Sequence, residues 1–227
     1  MNQSIRKRVV AEVIGTAMLL SAVVGSGIMG ERLAGGNVAI ALLANSIATG
    51  GALIALILVF GPISGAHFNP VVTLAYASQH EILWREVPLY LLGQVMGAFA
   101  GVGVAHLMFG LPLFFASTRV RSGGPQLLSE FVATFGLLAV IWGCGRFRSS
   151  AVPLAVPVYI VSAYWFTAST SFANPAVTLA RSLTDTFAGI RPLDAPGFIL
   201  AQIVGAAVAT VLFRWLHESK VKEQEST

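Results

Sequence analysis

Charge is scarce in this sequence. Only 11% of its 227 residues are charged, against 56% hydrophobic, and the mean hydropathy is +0.77. Soluble domains carry about 25% charge, so a water-facing surface is excluded for most of the chain and lipid is the expected solvent. Cysteine is nearly absent. Cys144 stands alone, which excludes a disulfide framework and a cysteine-based metal cluster; it sits in an apolar run and reads as a packed core residue. Aspartate is limited to Asp185 and Asp194, and no Gly-x-Ser-x-Gly, His-Glu-x-x-His or P-loop pattern occurs, so no catalytic set, metal site or cofactor site is expected. The net charge of +4 does not point to nucleic acid, because no basic stripe with interleaved aromatics is present.

Long apolar runs are abundant. A spanning helix needs about 20 apolar residues, and six segments meet or approach that length: residues 9–28, 38–60, 87–109, 127–143, 151–168 and 198–215. The first follows Arg6-Lys7-Arg8 like a signal peptide, but it is long enough to span and reads as an uncleaved helix. Six spans put both termini on one side. With the termini in the cytoplasm, nine Lys and Arg residues (Arg6, Lys7, Arg8, Arg85, Arg146, Arg148, Arg214, Lys220, Lys222) face inward and five (Arg32, Arg119, Arg121, Arg181, Arg191) face outward, the bias of the positive-inside rule. A multi-pass protein of the plasma (inner) membrane is expected.

The chain is written twice. Ala-Glu-Val-Ile-Gly-Thr from Ala11 returns as Ser-Glu-Phe-Val-Ala-Thr from Ser129; Asn69-Pro70-Val71-Val-Thr-Leu-Ala returns as Asn174-Pro175-Ala176-Val-Thr-Leu-Ala; Gln94 in Gly-Gln-Val-Met-Gly-Ala returns as Gln202 in Ala-Gln-Ile-Val-Gly-Ala. The order is the same in each half, at offsets of 118, 105 and 108 residues. Three spans per half force the second copy in from the opposite face. The expected domain is therefore one inverted repeat over residues 1–227, with halves of approximately 1–120 and 121–227, and its functional site lies near the midplane.

Asn is a strong N-cap and Pro suits the first helical position, so each Asn-Pro starts a helix. Polar Gln79-His80-Glu81 limits the first to about ten residues, or about 15 Å, half of a bilayer core of about 30 Å; the second is expected to end near Leu183. Two half-helices meeting at their N-termini would complete a broken seventh span. Irregular backbone at that depth must be buried in protein or line a wet cavity. The positive ends of the half-helices repel cations, while amides of Asn69 and Asn174 donate to passing hydroxyl oxygens.

The stretches Ser64-Gly65-Ala66-His67-Phe68-Asn69-Pro70 and Ser171-Phe172-Ala173-Asn174-Pro175-Ala176 resemble the signature loops of the major intrinsic protein family, the aquaporins and aquaglyceroporins. The likeness covers nearly the whole chain. It implies an all-α membrane fold of six transmembrane helices plus two re-entrant half-helices, a pore in each subunit and a homotetramer. It also implies pore-lining roles for His67 and Phe172, and loop-supporting roles for Glu12, Glu130, Gln94 and Gln202. Two departures stand out. Val71 replaces the usual Ala of the first motif. Val177 stands where the family usually has Arg after the second. By spacing, the remaining filter positions are Thr49, Ser162 and Ser171, which gives a wide, uncharged filter of four small side chains. Arg181, one turn beyond Val177, is expected to snorkel to the outer interface; the alternative is that it folds back to replace the missing guanidinium. The combination resembles channels associated with bacterial arsenic resistance, implying passage of arsenous acid besides water and glycerol-like polyols.

His67 reads as a static wall, with pH gating as the alternative; His80 and His106 read as ordinary helix-end residues. The competing function is a proton-coupled secondary transporter using Glu12 and Glu130, since intramembrane acids are functional by default.

Overall fold

The computed structural model describes residues 3–217, so Lys220 and Lys222 lie outside the described residues. Six long helices cross the molecule: α1 (Ile5–Leu33), α2 (Val38–Ser64), α4 (Val87–Met108), α5 (Gly124–Phe147), α6 (Val152–Phe166) and α8 (Ala195–His217). Single 3₁₀ turns, Trp84–Glu86 and Ser149–Ala151, lead into α4 and α6. Two short helices lie between the long ones: α3 (Pro70–Ser78) and α7 (Pro175–Arg181), the latter stopping two residues before the expected Leu183. No strand occurs among the described residues. All six long helices, with these lead-in turns, are long and apolar enough to span a bilayer. Their outer faces carry exposed Ile14, Met18, Leu92, Met96, Val208 and Val211, as lipid contact requires.

The packing maps onto itself when the halves are exchanged. α1 packs on α2 and α4 as α5 packs on α6 and α8, and α2 meets α6 across the centre. Each half-helix bridges both halves: α7 packs on α4 and α8, and α3 on α4 and α8. Val177 and Ala180 of α7 therefore share a core with Leu20, Val24 and Val102 of the first half. Val71 and Val72 of α3 share one with Leu138, Ile160 and Ala209 of the second.

Where α4 meets α1 and α8 meets α5, the contacts are backbone on backbone. A Cβ built on Gly97 would lie 2.4 Å from the Val13 carbonyl oxygen, and one on Gly205 would lie 2.5 Å from that of Phe131. Those glycines are equivalent in the repeat, and no other residue allows helices so close. The close approach pulls α4 and α8 inward and brings Gln94 and Gln202 to the buried centre.

Candidate functional site: a clasped pair of half-helices beside a cavity

Each half-helix is capped by its own asparagine. The Asn69 Oδ1 accepts from the Val71 N–H at 3.1 Å, and the Asn174 Oδ1 accepts from the N–H groups of Ala176 and Val177 at 3.0 and 3.3 Å. This fixes which way each amide points. The Nδ2 groups then reach across the repeat: Asn69 donates to the Ala173 carbonyl at 2.8 Å, and Asn174 donates to the Phe68 carbonyl at 2.7 Å. The reciprocal bonds hold the two N-termini head to head. An amide nitrogen carries two hydrogens, so each asparagine keeps one N–H for the cavity that both residues line.

The loops before the caps are held in an unfavourable backbone shape. Ala66, Phe68, Thr170, Ser171 and Ala173 all have φ between 48° and 60°, a region costly for residues with a Cβ. A buried carboxylate holds each loop there. Glu12 accepts from the N–H groups of His67 and Phe68 at 3.0 and 2.7 Å, from Ser64 Oγ at 2.7 Å and from Gln94 Nε2 at 2.8 Å. Glu130 accepts from the N–H groups of Phe172 and Ala173 at 2.8 and 2.9 Å and from Gln202 Nε2 at 2.6 Å. Gln94 and Gln202 donate further to Thr73 and Thr178, the equivalent hydroxyls of α3 and α7. With the N–H groups turned onto carboxylates, the carbonyls are left over. Those of Gly65, Ala66, His67, Ser171 and Phe172 accept nothing from the protein among the described residues, and all five residues line the cavity.

That cavity measures about 100 Å³. One side is apolar, with Leu19, Val23, Leu53, Ile57, Leu137 and Val156; the other carries the loop backbones and both asparagines. It shares Ile57, Gly65, Tyr76, Ile141 and Val152 with a wider recess of about 790 Å³ that reaches Glu81, Arg146, Arg214 and His217. The narrow section thus opens into a wider vestibule lined by charged side chains.

A family model described as "Major intrinsic protein" matches residues 1–161. The chain belongs to the major intrinsic protein family. Among its relatives, "Aquaglyceroporin AqpS" of Rhizobium meliloti (strain 1021) is 55% identical over 210 residues, 92% of this chain and 90% of that protein. "Aquaporin Z" of Bradyrhizobium diazoefficiens is 29% identical, with 93% of this chain and 94% of that protein covered. Among solved structures, the aquaglyceroporin from Plasmodium falciparum matches with a TM-score of 0.69 at 21% identity, covering 96% of this chain and 98% of that one; this likeness speaks for the fold alone.

Within this family frame, the residues selected by spacing divide. Thr49, Ser171 and Val177 line the cavity, as do His67, Phe68 and Phe172. Ser162 does not. It lies exposed on the outer face of α6, with its hydroxyl on the Val158 carbonyl at 3.0 Å. The cavity stripe of α6 is Val152, Val156, Ile160 and Tyr164, one residue per turn, and position 162 falls between turns on the opposite side. Counting back from Asn174 crosses the non-helical residues 167–173 and loses the helical phase. Tyr164 lines the cavity instead, with its hydroxyl 3.4 Å from the Thr49 Oγ1.

Arg181 also departs from expectation. It does not snorkel. It is 2% exposed, its Nε donates to the Ala188 carbonyl, and its guanidinium carbon lies 3.4 Å from the centre of the Phe172 ring. The cavity wall therefore carries Arg181 and Tyr164 beside the small side chains of Thr49, Ser171 and Val177. His67 is fixed, with Nδ1 3.0 Å from the Thr73 hydroxyl and its ring against Tyr76 and Tyr90. His106 is not an ordinary helix-end residue: fully buried, it bonds the Leu113 carbonyl and the Thr184 hydroxyl, both at 2.7 Å, and so ties the outer loops to α4. Arg121, given no role by the sequence, donates to the carbonyls of Gly189 and Ser169 at 2.8 and 3.1 Å.

Proposed function

We propose that the chain forms a passive transmembrane channel for small uncharged solutes, namely water, glycerol-like polyols and arsenous acid. The observation that carries this reading is the division of the cavity wall. One side offers free carbonyls and two asparagine N–H groups; the other is mainly aliphatic. Moving a hydroxyl from water to an apolar wall without a partner costs about 1–3 kcal/mol. A polyol bearing a hydroxyl on each carbon would be excluded by such a wall alone. The carbonyls accept from its hydroxyls, the asparagine amides donate to its oxygens, and its carbon backbone lies against Val156, Ile160 and Leu137. Each exchange with water is close to neutral, so the solute enters without being held. Arsenous acid, a compact neutral molecule with three hydroxyls, meets the same conditions.

Cations fail at the same place. The half-helix N-termini each bring about half a positive charge to the centre, and the carboxylates that could offset them are saturated by hydrogen bonds behind the loops. That saturation also argues against the proton-coupled alternative: Glu12 and Glu130 do not line the cavity, and every donor around them already serves the loop fold. The chain acts as a channel and not as an enzyme. It folds as one unit of two halves, divided near residue 120, because each half-helix completes the other half's core. We place it in the inner membrane as a homotetramer with both termini in the cytoplasm.

Proteoliposome flux tests this reading. Glycerol and arsenous acid should cross at neutral pH in proportion to their gradients, while arsenite made anionic by alkali should not. Flux of the anion equal to that of the acid would contradict it.

A further inference from the structure

Ser64 ends α2, and the last carbonyls of a helix have no partner within it. Ser64 is fully buried, so its carbonyl needs a donor. Tyr90 on α4 supplies one: its hydroxyl donates to that carbonyl at 2.8 Å. The same hydroxyl accepts from Arg8 Nε at 2.8 Å, and Glu86 holds Arg8 through Nη1 at 3.0 Å. Arg8 Nη2 is buried without a partner. Such an orphan costs stability, so stability alone does not account for an arginine here. The second half serves the equivalent place differently. Ser169 precedes Asn174 as Ser64 precedes Asn69, and its loop repeats the positive φ of its counterpart. Phe198 stands where Tyr90 stands, four residues before the paired glutamine, and has no hydroxyl. Gln126 stands where Arg8 stands and donates to the Ala168 carbonyl at 3.1 Å instead. The Ser169 carbonyl is held nonetheless. Arg121 reaches it directly at 3.1 Å, with its own backbone N–H on Asp194 at 2.8 Å. Asp194 and Glu86 are themselves equivalent, eight residues before Gln202 and Gln94.

We propose that Arg8 is a positioning residue for the pore: through the Tyr90 hydroxyl it fixes the Ser64 carbonyl, as Arg121 fixes that of Ser169, and so sets where each ladder of pore carbonyls begins. Neither serine lines the cavity, whereas Gly65, Ala66 and His67 after the first, and Ser171 and Phe172 after the second, do. The carbonyls of those five residues accept nothing from the protein among the described residues. Tying the preceding carbonyl aside limits how the peptides that follow can rotate. The two halves reach this end by different side chains, which marks the held carbonyl, and not any one residue type, as the common requirement. A polyol engages several of the free acceptors at once, while a water molecule engages one or two. Displacing the ladder therefore penalises glycerol more than water. This inference rests on the cavity being the conduction path.

The test uses full-length protein in proteoliposomes, with glycerol and water flux measured on the same preparations. Tyr90→Phe and Arg8→Gln, which copy the residues of the second half, should each lower the glycerol-to-water flux ratio about threefold or more, the factor carried by one neutral hydrogen bond. The double variant should lower it no further than the stronger single one, because both residues act on the same carbonyl. Arg8→Lys, which keeps a cation beside Glu86, should retain more of the ratio than Arg8→Gln. A purely structural role would lower the yield of assembled protein and both fluxes together, with the ratio unmoved. The proposal is overturned by an unchanged ratio in assembled Tyr90→Phe, by additive losses in the double variant, by Arg8→Lys no better than Arg8→Gln, or by failure of every variant to assemble. Failure of the underlying channel reading looks different: the unaltered protein would then carry neither water nor glycerol.

Discussion

Glu12 shows how much a single side chain carries in this molecule. It receives two backbone N–H groups, a serine hydroxyl and a glutamine amide, and it holds Phe68 at positive φ. Each buried donor stranded by its removal costs about 1–3 kcal/mol, a large share of the few kcal/mol by which proteins are stable. Glu12→Ala should therefore give no assembled protein in detergent by size-exclusion chromatography. Glu12→Gln, which keeps one acceptor oxygen, should assemble with a lower melting temperature. Val177 tests the opposite property, permissiveness. Its side chain lies in the cavity wall next to Ala176 and below Arg181. Val177→Arg places a guanidinium in the cavity and should cut glycerol and arsenous acid flux at least about tenfold by bulk and desolvation, with water reduced much less. Equal loss of all three fluxes in an assembled variant would mean that Val177 does not set the width.

At the level of elements, the repeat was legible because its markers are chemical. Glu12 and Glu130 interrupt apolar runs, and Asn-Pro states both a cap and a first turn, so each half-helix start could be placed to the residue. What lay beyond these markers depended on rotation about helix axes. Ser162 and Tyr164 differ by two positions, and only the phase of α6 decides which faces the pore. That phase is set by packing after a non-helical loop, which spacing cannot carry across. Arg181 was misplaced for a related reason: an arginine near a helix end ordinarily reaches water, and nothing local announces Phe172 as its seat. Close helix approach, by contrast, was readable from small residues. Gly205→Val should push α8 off α5, because even a Cβ would sit 2.5 Å from the Phe131 carbonyl oxygen. Overpacking of this kind costs about 1–3 kcal/mol or more, visible as a fall in melting temperature larger than that of Gly51→Val, where a Cβ meets nothing within 4 Å. The loops between α4 and α5 and between α7 and α8 share a pH-sensitive clasp. Asp185 accepts from the Thr118 N–H at 2.9 Å and from the hydroxyls of Thr118 and Ser117, and the backbone bond above all holds its carboxyl below the usual range. A depressed folded value gives stability that is present above the unfolded value of about 3.9 and is lost as pH falls through the folded one. Protease cleavage of the loop should rise below that range, and Asp185→Asn should cleave at a rate independent of pH there.

The whole molecule depends on exchange between its halves. Residues of α3 join the core of the second half and residues of α7 that of the first, while each asparagine amide bonds a carbonyl of the other loop. These crossings turn two half-spans into one wall and leave a passage beside it. The same crossings leave the carboxylates of Glu12 and Glu130 behind the loops, outside the cavity lining. The most direct measurement is stopped-flow glycerol swelling of proteoliposomes, run with and without an imposed proton gradient. The account predicts rapid swelling, linear in the glycerol gradient and unchanged by the proton gradient. Swelling that requires the proton gradient, or saturates at low glycerol concentration, would contradict it.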